Sequence, residues 1–299
     1  IGAEVARLEA VLAMDAVPDV AIGPHCSAPY PCSFHGHCWA HVPERSVFSL
    51  GRGGRKAWEL WDRGVRTLAE IPDDFELNAA QRIEVACART GKPHIDAKAV
   101  RGFLEPLGGE LLFLDFETVG PAVPLFEGTR PFQAIPFQYS LHRRAARGGA
   151  FTHSAFLGDG RTDPREALVE QLLADTRGQA PILMYSPYER RVLGELSAAF
   201  PRRAKEIRNR MARLVDLITP FRRRAFYTPA MNGSSSIKKV LPAVAPELAY
   251  GDLDIADGSA ANAAYESLHY DRDPARRERV RLALLDYCER DTLAMVKVL

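Results

Sequence analysis

The sequence predicts an α/β fold in which a mixed β-sheet is flanked by helices, preceded by a small N-terminal region that is helical and rich in cysteine. A continuous apolar run at 111–114 indicates a strand buried on both faces. Two further strand-like segments follow it closely, which is typical of hairpin connections. Later strand-like segments alternate with helical ones, and this order indicates crossovers and parallel pairing.

The N-terminal region joins a predicted helix at 3–14 to a loop-like segment that contains Cys26, Cys32 and Cys38. The other two cysteines of the chain stand apart from this cluster. An odd count with one cluster is unlike a secreted disulfide framework, so we expect a cytoplasmic protein. The segment is a candidate site for an iron–sulfur cluster, or for Zn²⁺ held together with neighbouring histidines. Three ordinary thiols in a loop are the alternative.

Regular elements are predicted along the rest of the chain from the spacing of apolar residues. Residues 51–107 form a helical connector, with helices over 55–70, 78–89 and 96–105. The predicted strands cover 111–114, 134–143, 151–157, 181–185 and 213–217, and the later helices cover 164–176, 187–200, 234–243, 259–268 and 274–298.

Bulk properties exclude some classes of protein. Of the 299 residues, 46% are apolar and 26% are charged, which is an ordinary globular composition. The net charge is +1, so any affinity for nucleic acid must come from local patches. No apolar run approaches the roughly 18–20 residues that span a bilayer, so no membrane partner is predicted.

Two carboxylates stand at the carboxyl end of the first predicted strand. Asp115 and Glu117 are two residues apart, so their side chains point to the same face of the sheet. Ligand sites in open α/β sheets gather at this edge. Neighbouring carboxylates repel one another unless a cation or a proton lies between them. The alternative is a strand end at which both acids meet only water.

The last predicted helix carries a third acid. Tyr287, Cys288 and Asp291 lie on one otherwise apolar face at helical spacing. A lone buried carboxylate is costly, so Asp291 requires either a cation or an arginine such as Arg290. Tyr287 precedes Asp291 by one turn, which could bring its hydroxyl group to the same point.

These residues resemble a known pattern. LDFET (114–118) and YCERD (287–291) resemble the first and third motifs of the DnaQ-like exonucleases, the DEDD group of the RNase H-like superfamily, and the Tyr-x-x-x-Asp spacing is that of its tyrosine subgroup. The resemblance covers 108–299. It implies an RNase H-like mixed sheet and a nuclease that hydrolyses phosphodiester bonds, usually from 3′ ends, with two Mg²⁺ or Mn²⁺ ions ~3.5–4 Å apart.

The resemblance also implies roles for single residues. Asp115 would bridge both ions, Glu117 and Asp291 would complete the first ion site, and Tyr287 would orient or deprotonate the attacking water. The group's second motif is an asparagine followed by an aspartate at a helix start, where this sequence has Ser186 and Glu189. Glu189 is therefore the candidate ligand of the second ion.

Two alternatives follow from that departure. Asp216, in the short strand predicted at 213–217, is the fallback ligand. If neither acid supports catalysis, the domain is a nucleic-acid-binding module with weak or no activity.

Basic residues indicate DNA or RNA as the partner. They are dense between 190 and 224, beginning with Arg190 and Arg191. Lys238 and Lys239 follow a Gly-Ser-Ser-Ser run at a helix start, where backbone N–H groups bind phosphate. A solvated helical face and ordinary capping by serine are the alternatives.

The cysteine segment GPHCSAPYPCSFHGHCW (23–39) resembles the cysteine tail of RecB-like nucleases, in which three cysteines join an earlier one to hold an iron–sulfur cluster. Because the chain begins at Ile1, we expect an upstream RecB-like nuclease domain with the fourth ligand. The whole chain is similar to an uncharacterised bacterial family that joins such a region to an RNase H-like one, and PFRRRAFYTPAMNGSSSIKKVLP (220–242) has a counterpart there.

The predicted organisation follows from these resemblances. Residues 1–50 form the Cys/His-rich segment, 51–107 form the connector, and 108–299 form the RNase H-like exonuclease domain. A structural partner of the upstream nuclease, with acids that are only solvated, is the remaining alternative.

Overall fold

The computed structural model describes residues 1–146, 148–245, 255 and 257–299. The chain divides into two compact units, Ile1–Arg89 and Thr90–Leu299. The division falls inside the segment 51–107 that the sequence predicts as a connector. Each unit has its own buried apolar cluster, and the described residues contain no helix long and apolar enough to cross a membrane.

The first unit is built from short helices. Its helices are α1 (Gly2–Leu12), α2 (His35–Cys38), α3 (Arg55–Asp62) and α4 (Ala79–Thr90). Its core is formed by Val47, Leu50, Leu60, Leu68, Ile71, Leu77 and Val85. Inside this unit the side chain of Glu84, itself buried, accepts a hydrogen bond of 2.7 Å from the backbone N–H of Gly51.

The predicted helix at 55–70 is wrong in its second half. Helix α3 ends at Asp62 because Gly64 adopts a φ of +83°, which a helix cannot continue through. The chain then forms a separate 3₁₀ turn at Leu68–Glu70. Thr67 and Glu70 close that turn with a capping box.

The second unit holds the sheet and the longer helices. Its strands are β1 (His94–Ile95), β2 (Leu111–Val119), β3 (Ile135–Arg144), β4 (Phe151–Leu157), β5 (Ile182–Met184), β6 (Leu214–Asp216) and β7 (Phe226–Tyr227). Its helices are α5 (Ala97–Leu104), α6 (Arg165–Asp175), α7 (Tyr188–Ala199), α8 (Ala204–Met211), α9 (Thr219–Arg222), α10 (Ile237–Val244), α11 (Gly258–Tyr270) and α12 (Pro274–Val298).

Five of these strands form one mixed sheet in the order β4-β3-β2-β5-β6. The pairs β4/β3 and β3/β2 are antiparallel, whereas β2/β5 and β5/β6 are parallel. This confirms the predicted mixed sheet flanked by helices. The short antiparallel pair β1/β7 was not predicted, because two residues per strand are too few to show a periodicity.

The central strand β2 is covered on both faces. Leu112, Leu114 and Phe116 point to the face that packs against α6 and α7, where they join the largest buried cluster. Leu111 and Phe113 point to the opposite face and pack with α12. Asp115 and Glu117 continue this second alternation, so the fold directs both acids to the side of the sheet on which α12 lies.

A bulge ends the regular pairing of β2. The register between β2 and β3 shifts between Glu117 and Thr118, where Thr118 lies opposite Pro136. Proline donates no hydrogen bond to a ladder and is tolerated inside a sheet at such an irregularity. Bulges often re-aim side chains beside functional sites, and this one directly follows the second acid.

Candidate metal centre

Three acids from two distant elements converge at the carboxyl end of β2. One carboxylate oxygen from each of Asp115, Glu117 and Asp291 lies within 4.8 Å of the others, close enough for a single cation to bind all three. In the part of the chain that the structure describes, no other group of three or more His, Cys, Asp or Glu donors lies so close together. These acids line an open cleft of about 420 Å³.

Glu189 brings a fourth carboxylate into the cleft from the first turn of α7. The carboxyl group of Glu189 interacts with that of Asp115, and hydrogen bonding between the two groups raises the pKa of Asp115 and lowers that of Glu189. The residue is 2% exposed, and its Oε2 is buried with no hydrogen-bond partner among the described residues. A buried acceptor left without a partner costs free energy, and a bound cation would satisfy it.

The acids raise one another's pKa. Burial, followed by repulsion from Asp291, raises the pKa of Glu117 from 4.5 to about 8. Burial raises the pKa of Glu189 from 4.5 to about 7. The pKa of Asp115 is raised well above its ordinary value by burial and by the three acids around it. In the metal-free protein, protons therefore reduce the repulsion that a divalent cation would otherwise neutralise.

Helix α12 places Tyr287 and Cys288 one turn before Asp291, as the sequence predicts. Cys288 is fully buried, with its Sγ 3.8 Å from Oδ2 of Asp115. Burial and the neighbouring carboxylates raise the pKa of the Tyr287 hydroxyl above its ordinary value. Arg290, the arginine that the sequence offers as an alternative partner for Asp291, has its Nε 3.5 Å from Oδ1 of Asp286.

The two lysines at the start of α10 have different surroundings. The Nζ of Lys238 lies 5.9 Å from the centre of the Tyr287 ring, and its charge lowers the pKa of Glu117. Of these two lysines, Lys238 is the one whose charge acts on the acids. Lys239 is also exposed, and within the described residues it does not line the cleft.

Three residues that the sequence patterns do not indicate also line the cleft. Gly258, Ser259 and Asn262 lie in the first turns of α11 and line the cleft together with the acids. A Cβ added at Gly258 would come within 3.8 Å of Oε2 of Glu117, so this helix start is close to the acid cluster. A helix start at Gly258 is visible in the sequence, but its proximity to 115–117 is not.

Tyr188 forms a further part of the cleft, beside the bulge. Its hydroxyl lies 2.5 Å from Oγ1 of Thr118, which joins the start of α7 to the end of β2. The guanidinium of Arg191 lies 4.9 Å from the centre of the Tyr188 ring. Arg191 thus stands beside the cleft, whereas Arg190 bonds the carbonyl of Met211 at 3.4 Å.

The backbone before α7 is strained. Ser186 lines the cleft and has a φ of +132°, a conformation that residues other than glycine rarely adopt. Such strain concentrates at functional sites and persists where surrounding contacts impose it. Here the Oγ of Ser186 accepts a hydrogen bond of 3.2 Å from the backbone N–H of Tyr188.

The fallback residue Asp216 lies on the neighbouring strand β6. Its Oδ1 accepts a hydrogen bond of 3.1 Å from the backbone N–H of Ile218. Its charge raises the pKa of Glu189, so it lies within electrostatic range of the cleft. Glu189, in contrast, lines the cleft together with Asp115, and its carboxyl group interacts with that of Asp115.

Many arginines between 190 and 224 are used in structural contacts. Arg213 donates to the carbonyls of Thr176, Gly178 and Ala180. Arg210 bonds Oγ1 of Thr176 and the carbonyl of Leu173, and Arg203 pairs with acids. The arginine density of the sequence therefore overstates how many of these side chains are available to bind a partner.

The cysteine segment does not bring its thiols together in a three-donor site. Cys26 is buried, Cys32 is exposed and Cys38 is half-buried, and each is a free thiol. A cluster or zinc ion at this segment stays a prediction.

The comparisons bear on the sheet and on part of the site. Residues 112–236 match the family described as a domain of unknown function, DUF2779. This supports the predicted resemblance to an uncharacterised domain family over less than half of the chain. The match includes Asp115, Glu117 and Glu189 and ends before α12. No curated protein and no solved structure matches the chain.

Proposed function

We propose that the cleft is the active site of a divalent-metal-dependent nuclease that hydrolyses phosphodiester bonds in DNA or RNA. The observation that carries this proposal is the convergence of Asp115, Glu117 and Asp291 from β2 and α12. A cluster of carboxylates that lines an open cleft is costly without a cation. The proposed fold is RNase H-like and the proposed mode is 3′–5′ exonucleolytic, as the DnaQ-like motifs imply.

The donor set fits a hard divalent cation. Mg²⁺ and Mn²⁺ prefer carboxylate oxygens, and the four acids of the cleft supply such ligands. Asp115, Glu117 and Asp291 would hold one ion, and Glu189 would join Asp115 in holding a second. The unpartnered Oε2 of Glu189 supports this assignment, because it is a buried acceptor that faces no donor of the described chain.

Bound Mg²⁺ or Mn²⁺ supplies charge stabilisation for the attacking and leaving oxygens of a phosphodiester. The remaining tasks belong to residues around the acids. Lys238 attracts the substrate phosphate from the Glu117 side of the cleft, and Arg191 does so from the Tyr188 side. The Tyr188 ring offers a surface on which a nucleobase can stack.

Tyr287 orients the attacking water in this proposal rather than deprotonating it. Burial and the three nearby acids raise the pKa of its hydroxyl, so the phenol keeps its proton at neutral pH. A neutral phenol both donates and accepts a hydrogen bond, and this suits it to fixing the direction of a water molecule.

A cleavage assay with labelled single strands tests the proposal. DNA and RNA oligonucleotides carrying a 5′ label are incubated with the protein and Mn²⁺, and products are resolved at single-nucleotide length. We expect a ladder of strands shortened from the 3′ end, dependent on Mn²⁺ and lost in Asp115→Asn. Activity that is equal in wild type and Asp115→Asn, or no cleavage by the metal-loaded wild type, would contradict the proposal.

A further inference from the structure

A buried polar network lies directly behind the acids, between the sheet and α12. Thr292, the residue after Asp291, is 0% exposed. Its Oγ1 lies 2.7 Å from Oγ of Ser140 and 2.8 Å from Nδ1 of His142, both on β3. His153 on β4 adds a contact of 2.9 Å to Oγ of Ser140. Four polar side chains from three elements thus meet where apolar packing would be expected.

The hydroxyl of Thr292 uses its full hydrogen-bonding capacity. It donates to the carbonyl of Glu289 at 3.0 Å, and it can then accept from Ser140 and from His142 with its two lone pairs. Burial and the neighbouring His153 ring lower the pKa of His142 to about 4, so the imidazole stays neutral at pH 7. The hydrogen bonds that join Thr292 to Ser140 and His142 are therefore satisfied without a charge on His142, and satisfied buried networks of this kind rigidify a core.

The network is in register with the acids. Ser140 is the cross-strand partner of Asp115, and Gln138 is the cross-strand partner of Glu117. Gln138 donates from Nε2 to the carbonyl of Leu284 on α12 at 2.8 Å. Each acid on β2 therefore has, directly across the ladder, a buried polar residue that is bonded to the helix carrying Asp291.

We propose that Thr292, Ser140 and Gln138 are positioning residues that hold Asp291 opposite Asp115 and Glu117 before a metal binds. This inference rests on the proposed function of the same cleft. Mutual repulsion of the acids pushes α12 away from β2, and apolar contacts alone allow a helix to slide. Directional hydrogen bonds at two points along α12 oppose both movements.

The accuracy with which the ligands are positioned affects the binding of Mg²⁺ more than the binding of Ca²⁺. Mg²⁺ requires near-octahedral oxygen ligands at about 2.0–2.1 Å, whereas Ca²⁺ accepts irregular sets at about 2.3–2.6 Å. Loosening α12 by a fraction of an ångström should weaken Mg²⁺ binding more than Ca²⁺ binding. A general loss of stability would not change the preference between the two ions.

The test compares Thr292→Val with Thr292→Ser in the whole chain. Valine keeps the shape but lacks the hydroxyl, and serine keeps the hydroxyl. Binding of Mg²⁺ alone and of Ca²⁺ alone is measured by calorimetry without nucleic acid, beside urea unfolding. We expect valine to weaken Mg²⁺ binding about tenfold or more and Ca²⁺ binding less, as for other residues behind metal ligands. The affinity of Thr292→Ser for each ion should stay within about threefold of that of the wild type, because serine keeps the hydroxyl group.

Thr176→Val is the matched control. Thr176 is also 0% exposed, and its hydroxyl donates to the carbonyl of Leu172 at the end of α6. This variant should lose stability while it binds both ions as wild type does. If Thr292→Val does not fold, Ser140→Ala removes a partner of the same hydroxyl and is expected to shift the same Mg²⁺/Ca²⁺ preference.

The outcomes separate this inference from the proposed function. Wild type that binds neither ion would overturn the proposed function and this inference with it. Wild type that binds Mg²⁺ while Thr292→Val binds both ions equally well would overturn the positioning role alone. If Thr292→Val and Thr176→Val both weaken the binding of Mg²⁺ and of Ca²⁺ to the same extent, the network stabilises the fold and has no positioning role.

Discussion

Glu189 is the single residue on which the second half of the proposed metal centre depends. Its carboxyl group interacts with that of Asp115, and its Oε2 is buried without a hydrogen-bond partner among the described residues. The carboxylate lies in the first turn of α7, where the helix dipole favours negative charge. The hydrogen bond between Tyr188 and Thr118 joins the start of this helix to the end of β2.

Replacement of this acid should therefore be far more damaging than replacement of its neighbour on β6. We expect Glu189→Gln to lower Mn²⁺-dependent cleavage by at least about 100-fold, since a metal-held oxygen contributes several kcal/mol. Asp216→Asn should stay within about threefold of wild type, since it removes a charge outside the acid cluster. Initial rates on a labelled oligonucleotide measure both. The reverse order of effects would make Asp216 the fourth ligand.

The two lysines of α10 provide a second comparison at this scale. Lys238 lies near Tyr287 and acts on Glu117, whereas Lys239 does not line the cleft formed by the described residues. We expect Lys238→Met to reduce kcat/KM about tenfold or more, because it removes a phosphate-attracting charge beside the acids. Lys239→Met should change it less than about twofold, as for a solvent-screened charge. Equal effects of the two changes would place substrate on the outer face of α10 instead.

Part of the candidate site can be predicted from single residues. Asp115 and Glu117 can be predicted because side chains alternate along a strand, which places both acids on one face. Asp291 can be predicted because its spacing from its apolar neighbours places it on one face of α12. Glu189 comes from the resemblance. Local patterns carry no information on which distant helix faces the acids, so the wall formed by Gly258 and its neighbours was not predicted.

At the scale of elements, the start of α11 reaches the cleft because its other end is fixed against the turn after β4. Gly160, in that turn, has a φ of +78°, and its carbonyl lies 3.0 Å from Nδ1 of His269. A Cβ at Gly160 would lie 2.6 Å from Cβ of Leu268, which is fully buried in α11. The close approach of backbone and helix thus requires glycine.

Two glycine-to-alanine substitutions separate the cost of backbone strain from the cost of steric crowding. Gly178 also has a positive φ, of +90°, but an added Cβ meets nothing within 4 Å. Gly178→Ala should lower the free energy of unfolding by about 1–2 kcal/mol, the cost of the left-handed conformation. Gly160→Ala should cost a further ~1–3 kcal/mol for overpacking against Leu268. Urea denaturation measures both, and equal costs would show that α11 yields freely at this contact.

The success of the sequence predictions differed with the length of the element. The strands at 134–143 and 151–157 and the helix at 274–298 agree with β3, β4 and α12 to within one residue. The apolar run at 111–114 predicted only half of β2, because the strand continues through polar residues paired with β3. The eight residues of α8 were not predicted, since their charged sequence has too few apolar positions to show a helical period.

At the scale of the whole molecule, the acid cluster links stability to pH. The pKa of Glu117 rises from 4.5 to about 8 and that of Glu189 from 4.5 to about 7 on folding, so the folded protein binds more protons between these values. Stability that these groups contribute is fully present below pH 4.5 and is lost as pH rises through 7 and 8. A bound cation replaces the protons, so its stabilising effect should grow with pH.

We therefore expect the Tm of the protein in EDTA to fall between pH 5 and pH 8. Added Mg²⁺ should raise Tm little at pH 5 and most at pH 8. Glu117→Gln, which cannot ionise, should show a smaller fall in EDTA and a smaller response to Mg²⁺. Thermal unfolding at three pH values measures this. A Tm in EDTA that rises steadily from pH 5 to pH 8 would mean that the acids are not crowded together in the folded protein.

The central claim is that one divalent cation binds between β2 and α12, and an anomalous difference map from crystals soaked in Mn²⁺ tests it most directly. We expect a peak within ligand distance of Asp115, Glu117 and Asp291, and we expect no such peak in Asp115→Asn crystals soaked in the same way. Ordered electron density for the three acids with no peak between them, or a peak that persists in Asp115→Asn, would contradict it.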